Sequence, residues 1–158
     1  MAAAKKKKQK KPGEVAIFNK KARHDYEIND SFEVGIVLSG GEVKSIRAGE
    51  AQLKESYVRV RASECYLIGC HISPYRFTND PSYNPTAERK LLLHKREILK
   101  LNRQIMQKGL TVVPLKMYFN DRGKCKLEIG IGRGKKIHDK RQSIKEKDIK
   151  RTIERYKD

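Results

Sequence analysis

A chain of 158 residues with 37 Lys and Arg against 19 Asp and Glu has room for one domain with tails and little room for a two-domain enzyme. Its formal net charge of +18 points to a polyanionic partner, nucleic acid first. Apolar residues make up 37% of the chain and charged residues 35%, so part of it is expected outside the core. No stretch approaches the roughly 18 uninterrupted apolar residues of a membrane span, and the Lys-rich start lacks the apolar run of a secretory signal. A soluble, cytoplasmic protein with no membrane partner is expected. Three cysteines, Cys65, Cys70 and Cys125, form no even disulfide framework and suit a reducing compartment.

From the start of the chain, Lys5 to Lys11 supply six lysines interrupted only by Gln9, which predicts a disordered arm over residues 1–12. Residues 133–158 carry eleven basic and five acidic residues and form a second basic tail. Residues 13–132, with an ordinary charge balance and nearly all the aliphatic and aromatic side chains, are expected to be the folded domain.

Within that domain Asn19 to His24 and Glu42 to Gly49 each have room for one or two helical turns. Phe32 to Leu38, Tyr57 to Val60, Glu64 to Ile72, Thr111 to Phe119 and Lys124 to Ile131 are rich in β-branched and aromatic residues, which predicts five strands. Residues 73–85 contain Pro74, Pro81 and Pro85 with Tyr75, Phe77 and Tyr83, the composition of a long loop. Thr86 can cap a helix in which Leu91, Ile98, Leu101 and Ile105 recur at helical spacing, closed by Lys108-Gly109. Glu97 serves equally well a restart capped at residue 94, so residues 86–108 read as one helix or two.

The last strand alternates Cys125, Leu127, Ile129 and Ile131 with Lys124, Lys126, Glu128 and Gly130, so one face is apolar and half the strand is buried. Asp121-Arg122-Gly123 joins it to its predecessor as an antiparallel hairpin. Several short strands with small helices predict a mainly β fold, an OB-like antiparallel barrel with short flanking α-helices, rather than a βαβ sheet. In the tail, Ser143-Ile144-Lys145-Glu146 has capping-box spacing, and Ile149, Ile153 and Tyr156 form a narrow apolar stripe. A helix of about 15 residues is marginal in water, so the tail is expected to be disordered when free and helical against a partner.

Catalytic and metal readings find little support. Cys65-x4-Cys70 is wider than a usual zinc pair, and Cys70 and His71, adjacent on a strand, point to opposite faces. Gly130-x-Gly132-x-Gly134-Lys135-Lys136 lacks the Walker spacing and reads as a flexible hinge with two lysines offered to phosphates. His24, His71, His94 and His138 sit in no nucleophile or HExxH setting. No enzyme, metal or cofactor is expected. RNA binding rests on firmer physics, since Lys and Arg neutralise phosphates and histidine and aromatic rings stack on bases. Asn19, Lys20, Lys21, Arg23 and His24 gather polar and cationic groups, and alternation directs Lys124 and Lys126 to the strand face that the core does not use. The basic tails alone would equally suit a structural ribosomal protein with cationic extensions, and a zinc-dependent enzyme acting on RNA would require bound metal.

Four words, Lys21-Ala22-Arg23-His24-Asp25-Tyr26, Gly41-Glu42-Val43-Lys44-Ser45-Ile46-Arg47-Ala48-Gly49, Arg89-Lys90-Leu91-Leu92-Leu93 and Gly134-Lys135-Lys136-Ile137-His138-Asp139-Lys140-Arg141, together resemble the small protein B family, the bacterial SsrA-binding proteins. The similarity runs in order from about Val15 to Arg155. The resemblance implies an OB-like barrel that binds the tRNA-like domain of transfer-messenger RNA (tmRNA). In trans-translation that RNA is carried to ribosomes stalled on truncated messages, with the tail occupying the empty mRNA channel at the small-subunit decoding centre. It further implies action with elongation factor Tu on alanylated tmRNA, by a protein monomeric when free. Matched position by position, it places RNA binding on Asn19, Arg23, His24, Glu33, Leu92, His94 and Lys126. The ribosome-facing tail set falls on Lys135, Lys136, His138, Asp139, Lys140 and Arg141. Many relatives carry asparagine where this chain has His94.

Overall fold

The computed structural model describes residues 15–135 and 137–156. Along these residues run β1 (Ala16–Phe18), α1 (Lys20–Asp25), β2 (Tyr26–Ile36), α2 (Gly40–Arg47), β3 (Ala51–Gln52), β4 (Tyr57–Arg61), β5 (Glu64–Ile68) and β6 (His71–Ile72). They continue with β7 (Arg89–Leu92), α3 (Lys95–Lys108), β8 (Thr111–Phe119), β9 (Cys125–Gly134) and α4 (Ile137–Arg155). The predicted arm at 1–12 lies outside the described residues.

Seven strands form one antiparallel sheet in the order β1-β8-β9-β2-β7-β5-β4, and β3 pairs with β6 in a small second sheet. The large sheet curls until β4 lies against β8 without closing its hydrogen-bond ladder, an open OB-like barrel. Period-2 alternation sends Leu127, Ile129 and Ile131 of β9, Val34 and Ile36 of β2, and Val112 and Met117 of β8 inward. There they meet Leu67, Leu91, Ile46 and Leu101 in one apolar core. A second, smaller cluster seats Ala22 of α1 on Val113 and Leu115. The β8–β9 hairpin forms as predicted, with Gly123 at φ +75° in its turn.

Several expectations are corrected. The helix capped by Thr86 does not exist: Arg89 to Leu92 is a strand that pairs with both β2 and β5, and the helix begins after His94. There Glu97 accepts from the His94 N–H at 3.0 Å, and Gly109 closes α3 in a left-handed conformation. Leu91 matches the helical period only by coincidence. The run Glu64 to Ile72 breaks at Gly69 into β5 and β6, and β1, β3 and β7 were not foreseen as strands.

The expected glycine hinge is part of the ladder instead. Gly130 and Gly132 pair with Ser31 and Ile28 of β2 beside a register shift between Ile28 and Asp30. A Cβ at Gly132 would lie 2.0 Å from the Glu27 carbonyl oxygen, so glycine is needed here for close backbone approach rather than for flexibility. The tail is helical from Ile137 to Arg155, which places Ser143 inside the helix rather than at its cap. Ile144, Ile149, Ile153 and Tyr156 are exposed along it, so the stripe meets no core.

Candidate nucleic-acid interface

The convex face of the barrel is set by the residues that alternate outward from its central strands. Cross-strand register fixes two rows. One runs Phe18, Lys116, Glu128, Glu33 and the other Tyr118, Lys126, Gly35, Leu92. Gly35 keeps this face low between Lys126 and Leu92, since a Cβ there would approach the Leu92 Cβ to 3.2 Å. The result is a concavity of about 480 Å³ where Glu33, Leu92, His94 and Lys126 converge from β2, β7, the start of α3 and β9.

The chemistry of these side chains follows from their surroundings. Tyr118 donates its hydroxyl hydrogen to the Glu33 carboxylate, fixing an acceptor at the floor of the concavity. Leu92 is 55% exposed while its neighbours Arg89 and Leu91 are buried, so this leucine offers apolar surface outward rather than filling the core. His94 is exposed at the N-cap of α3, and the Lys126 stem is partly buried with its ammonium on the outer face. With Lys90, Lys95, Glu64 and Glu97 also on its lining, the concavity mixes cations, carboxylates, an imidazole and an apolar plate, which suits contact with phosphates and base edges together.

Helix α1 continues this face. Its Arg23 guanidinium lies 3.7 Å from Glu128, which stands opposite Glu33 in the ladder. The pair is largely solvated and adds little stability, but it leans the guanidinium toward the sheet. His24 contacts the Asp25 carboxylate through Nδ1 at 3.0 Å. Asn19 is placed differently from its neighbours. It is only 5% exposed, its amide donates to the carbonyls of Leu53 (3.1 Å) and Pro114 (2.9 Å), and its Oδ1 accepts from the Ala22 N–H at 3.1 Å. With both amide hydrogens and its oxygen engaged, Asn19 pins α1 to the barrel, and Arg23 and His24 reach solvent from the helix it holds.

Lys124 is exposed at the β8–β9 turn, beyond the concavity. Lys135 follows the last strand, and its N–H donates to the Asp25 carbonyl at 2.8 Å, which roots the tail beside α1. Lys136 lies outside the described residues. His138, Asp139 and Lys140 fall on the first turn of α4, and Arg141 next to them is exposed. The structure therefore unites Glu33, Leu92, His94 and Lys126, joins Arg23 to them through Glu128, and sets the tail residues apart at the end of β9.

Phe18, Lys116 and Tyr118 complete the face and were not singled out from sequence. The Lys116 ammonium lies 5.4 Å from the Phe18 ring centre and 4.8 Å from that of Tyr118. The signal was available in β8, where Lys116 and Tyr118 alternate with Met117 as Lys126 and Glu128 alternate with Leu127. Elsewhere, burial pushes the Cys65 and Cys70 thiols up to about 11 and that of Cys125 to about 12, so they remain protonated and poor metal ligands at neutral pH. Among the described residues no group of three or more His, Cys, Asp or Glu gathers as a metal site, and no helix is long and apolar enough to cross a membrane.

Comparison with known proteins places the chain in a family. Residues 16–158 match the family described as SmpB protein. The SsrA-binding proteins of Staphylococcus aureus strains Newman and JH1 are each 53% identical over 148 residues, covering 94% of this chain and 95% of theirs. A solved chain described as "tmRNA-SmpB: a journey to the center of the bacterial ribosome" superposes with a TM-score of 0.65 at 47% identity, over 78% of this chain and 86% of that one. The chain belongs to the SmpB protein family.

Proposed function

We propose that this chain binds the tRNA-like domain of tmRNA on the convex sheet face and α1, and that it delivers this RNA to stalled ribosomes for trans-translation. The observation that carries the reading is the convergence of Glu33, Leu92, His94 and Lys126, from four separate segments, in one concavity, with Arg23 paired to Glu128 on the same strand as Lys126. Lys126 and Arg23 neutralise phosphates, and Glu33, held by Tyr118, accepts hydrogen bonds from base amino groups. Leu92 and the His94 ring pack on an exposed base or ribose. In the same reading α4 and the residues Lys135 to Arg141 occupy the vacant message channel at the decoding centre, where ribosomal RNA supplies the contacts that the apolar stripe of α4 lacks here. A monomer acting with elongation factor Tu on the alanylated RNA completes the scheme.

The test compares the affinity of the full chain for the tRNA-like domain with that for bulk tRNA in moderate salt. Tighter binding to the tRNA-like domain is expected, and equal affinity would sink the reading. For roughly six phosphate contacts, log K falls against log salt with a slope near −4, and Lys126→Ala lowers that slope by about 0.7 together with the affinity.

A further inference from the structure

The segment between β6 and β7 holds a feature that the sheet face does not use. Phe77 is 81% exposed, although it belongs to a segment fixed at both ends. It sits in a turn closed by the Thr78 N–H donating to the Tyr75 carbonyl at 3.0 Å. Its ring meets Tyr75 edge-on, with centres 5.5 Å apart, and Tyr75 in turn carries the Lys44 ammonium 5.1 Å from its own centre. One turn further along α2, Arg47 lies 4.5 Å over Phe119 and donates to the Gly123 carbonyl at 3.4 Å, next to Lys124. Arg76 and Arg122 are exposed in the same segments.

The turn is held up by a buried clamp. Arg89, 4% exposed, pairs with Glu42 at 2.5 Å and donates to the carbonyls of Cys70 (2.7 Å), Pro85 (2.9 Å) and Ala87 (3.2 Å). Tyr83 donates to the Ile72 carbonyl at 2.8 Å, the Ile72 N–H donates to Pro85 at 3.0 Å, and the Ser73 N–H donates to Glu50 at 3.0 Å. The fold itself has thus met much of the ordering cost of presenting Phe77, which favours any ligand that lies on the ring. Beside it stand Arg76, its neighbour in the chain, and Lys44 over the Tyr75 ring, with Arg47 one turn further along α2. Of the nearby acids, Glu42 faces Arg89, Asp80 is bonded to Ser82, and Asp121 sits in the hairpin turn. An exposed ring in a cationic surround fits a nucleobase with its flanking phosphates.

We propose that Phe77, backed by Tyr75, is a stacking platform for an unpaired base of RNA, with Lys44, Arg47 and Arg76 holding the adjacent phosphates. This second contact rests on the RNA-binding reading of the sheet face.

The chain contains no tryptophan, so Phe77→Trp places a single reporter on the platform. The full-length variant is titrated with the tRNA-like domain of tmRNA, and binding is followed independently by gel shift. The expected result is near-parental affinity with tryptophan emission quenched in step with the gel shift. Phe77→Ala is expected to bind about tenfold more weakly, the loss of one base–aromatic stack, at an unchanged melting temperature. Full-affinity binding with unquenched emission and a neutral Phe77→Ala would overturn the platform and leave the sheet-face reading standing. Quenching by polyglutamate but not by RNA would also overturn it, in favour of an acidic protein. A neutral Lys126→Ala alongside quenching at residue 77 would strike the sheet face alone.

Discussion

Asn19 is a polar residue whose hydrogen-bonding groups are engaged inside the protein. Its amide ties α1 to Leu53 and Pro114 on either side of the helix start, and its oxygen caps the helix. Asn19→Ala removes the cap and strands two buried carbonyls, so urea unfolding should show a loss of about 2–4 kcal/mol. RNA binding should weaken in the same variant only as far as α1 loosens, whereas Lys126→Ala should weaken binding at unchanged stability. The thiols yield a second prediction at this scale. Folded Cys65 and Cys70 keep their protons to about 11 and Cys125 to about 12, against a usual 9 in the unfolded chain. A folded-state pKa above the unfolded one contributes stability that is fully present below pH 9 and is lost as pH rises toward 11–12. Chemical denaturation across that window should show the decline, and native protein at pH 8 should resist thiol reagents that label all three cysteines once it is unfolded.

At the scale of elements, strand β9 tests whether glycine marks slack or contact. If Gly130 to Gly134 were a hinge, Gly132→Ala would be harmless. In the ladder, the added methyl must displace the Glu27 carbonyl, and a loss of about 1–3 kcal/mol in thermal or urea unfolding is expected. The β8–β9 hairpin was legible because β9 alternates cleanly over four pairs of residues and a glycine stands in its turn. Strand β7 was not legible: four residues give too short an alternation, and Leu91 happens to fall in phase with Ile98, Leu101 and Ile105 of α3. Strands β1 and β3 have three and two residues and owe their pairing to partners elsewhere in the sequence, which no local pattern records. Likewise, the polar character of Asn19 suggested a surface contact, and only the tertiary neighbours show it buried. The site residues on β9 were readable from alternation, while the grouping of Glu33, Leu92 and His94 around Lys126 needed the register of three strands.

At the scale of the whole molecule, the tail leaves the barrel at the end of β9, beside α1. Ending the chain after Gly134 keeps every strand of the barrel and should leave affinity for the tRNA-like domain within about threefold of the parent, a change well below the 1.4 kcal/mol that corresponds to tenfold. The same truncation should abolish peptide tagging on ribosomes stalled at a message end. A large loss of affinity measured by gel shift would contradict this division, and retained tagging would remove the tail from the proposed role.

The root of the tail limits its reach. Because the Lys135 N–H is held by the Asp25 carbonyl and two residues, 135 and 136, lie between β9 and α4, the tail starts on a short leash beside α1, the element that carries Arg23. Each residue inserted between Gly134 and Ile137 would lengthen that leash by at most about 3.6 Å. The number of linking residues therefore limits how far from the barrel the tail can begin, a constraint separate from any contact that their side chains make.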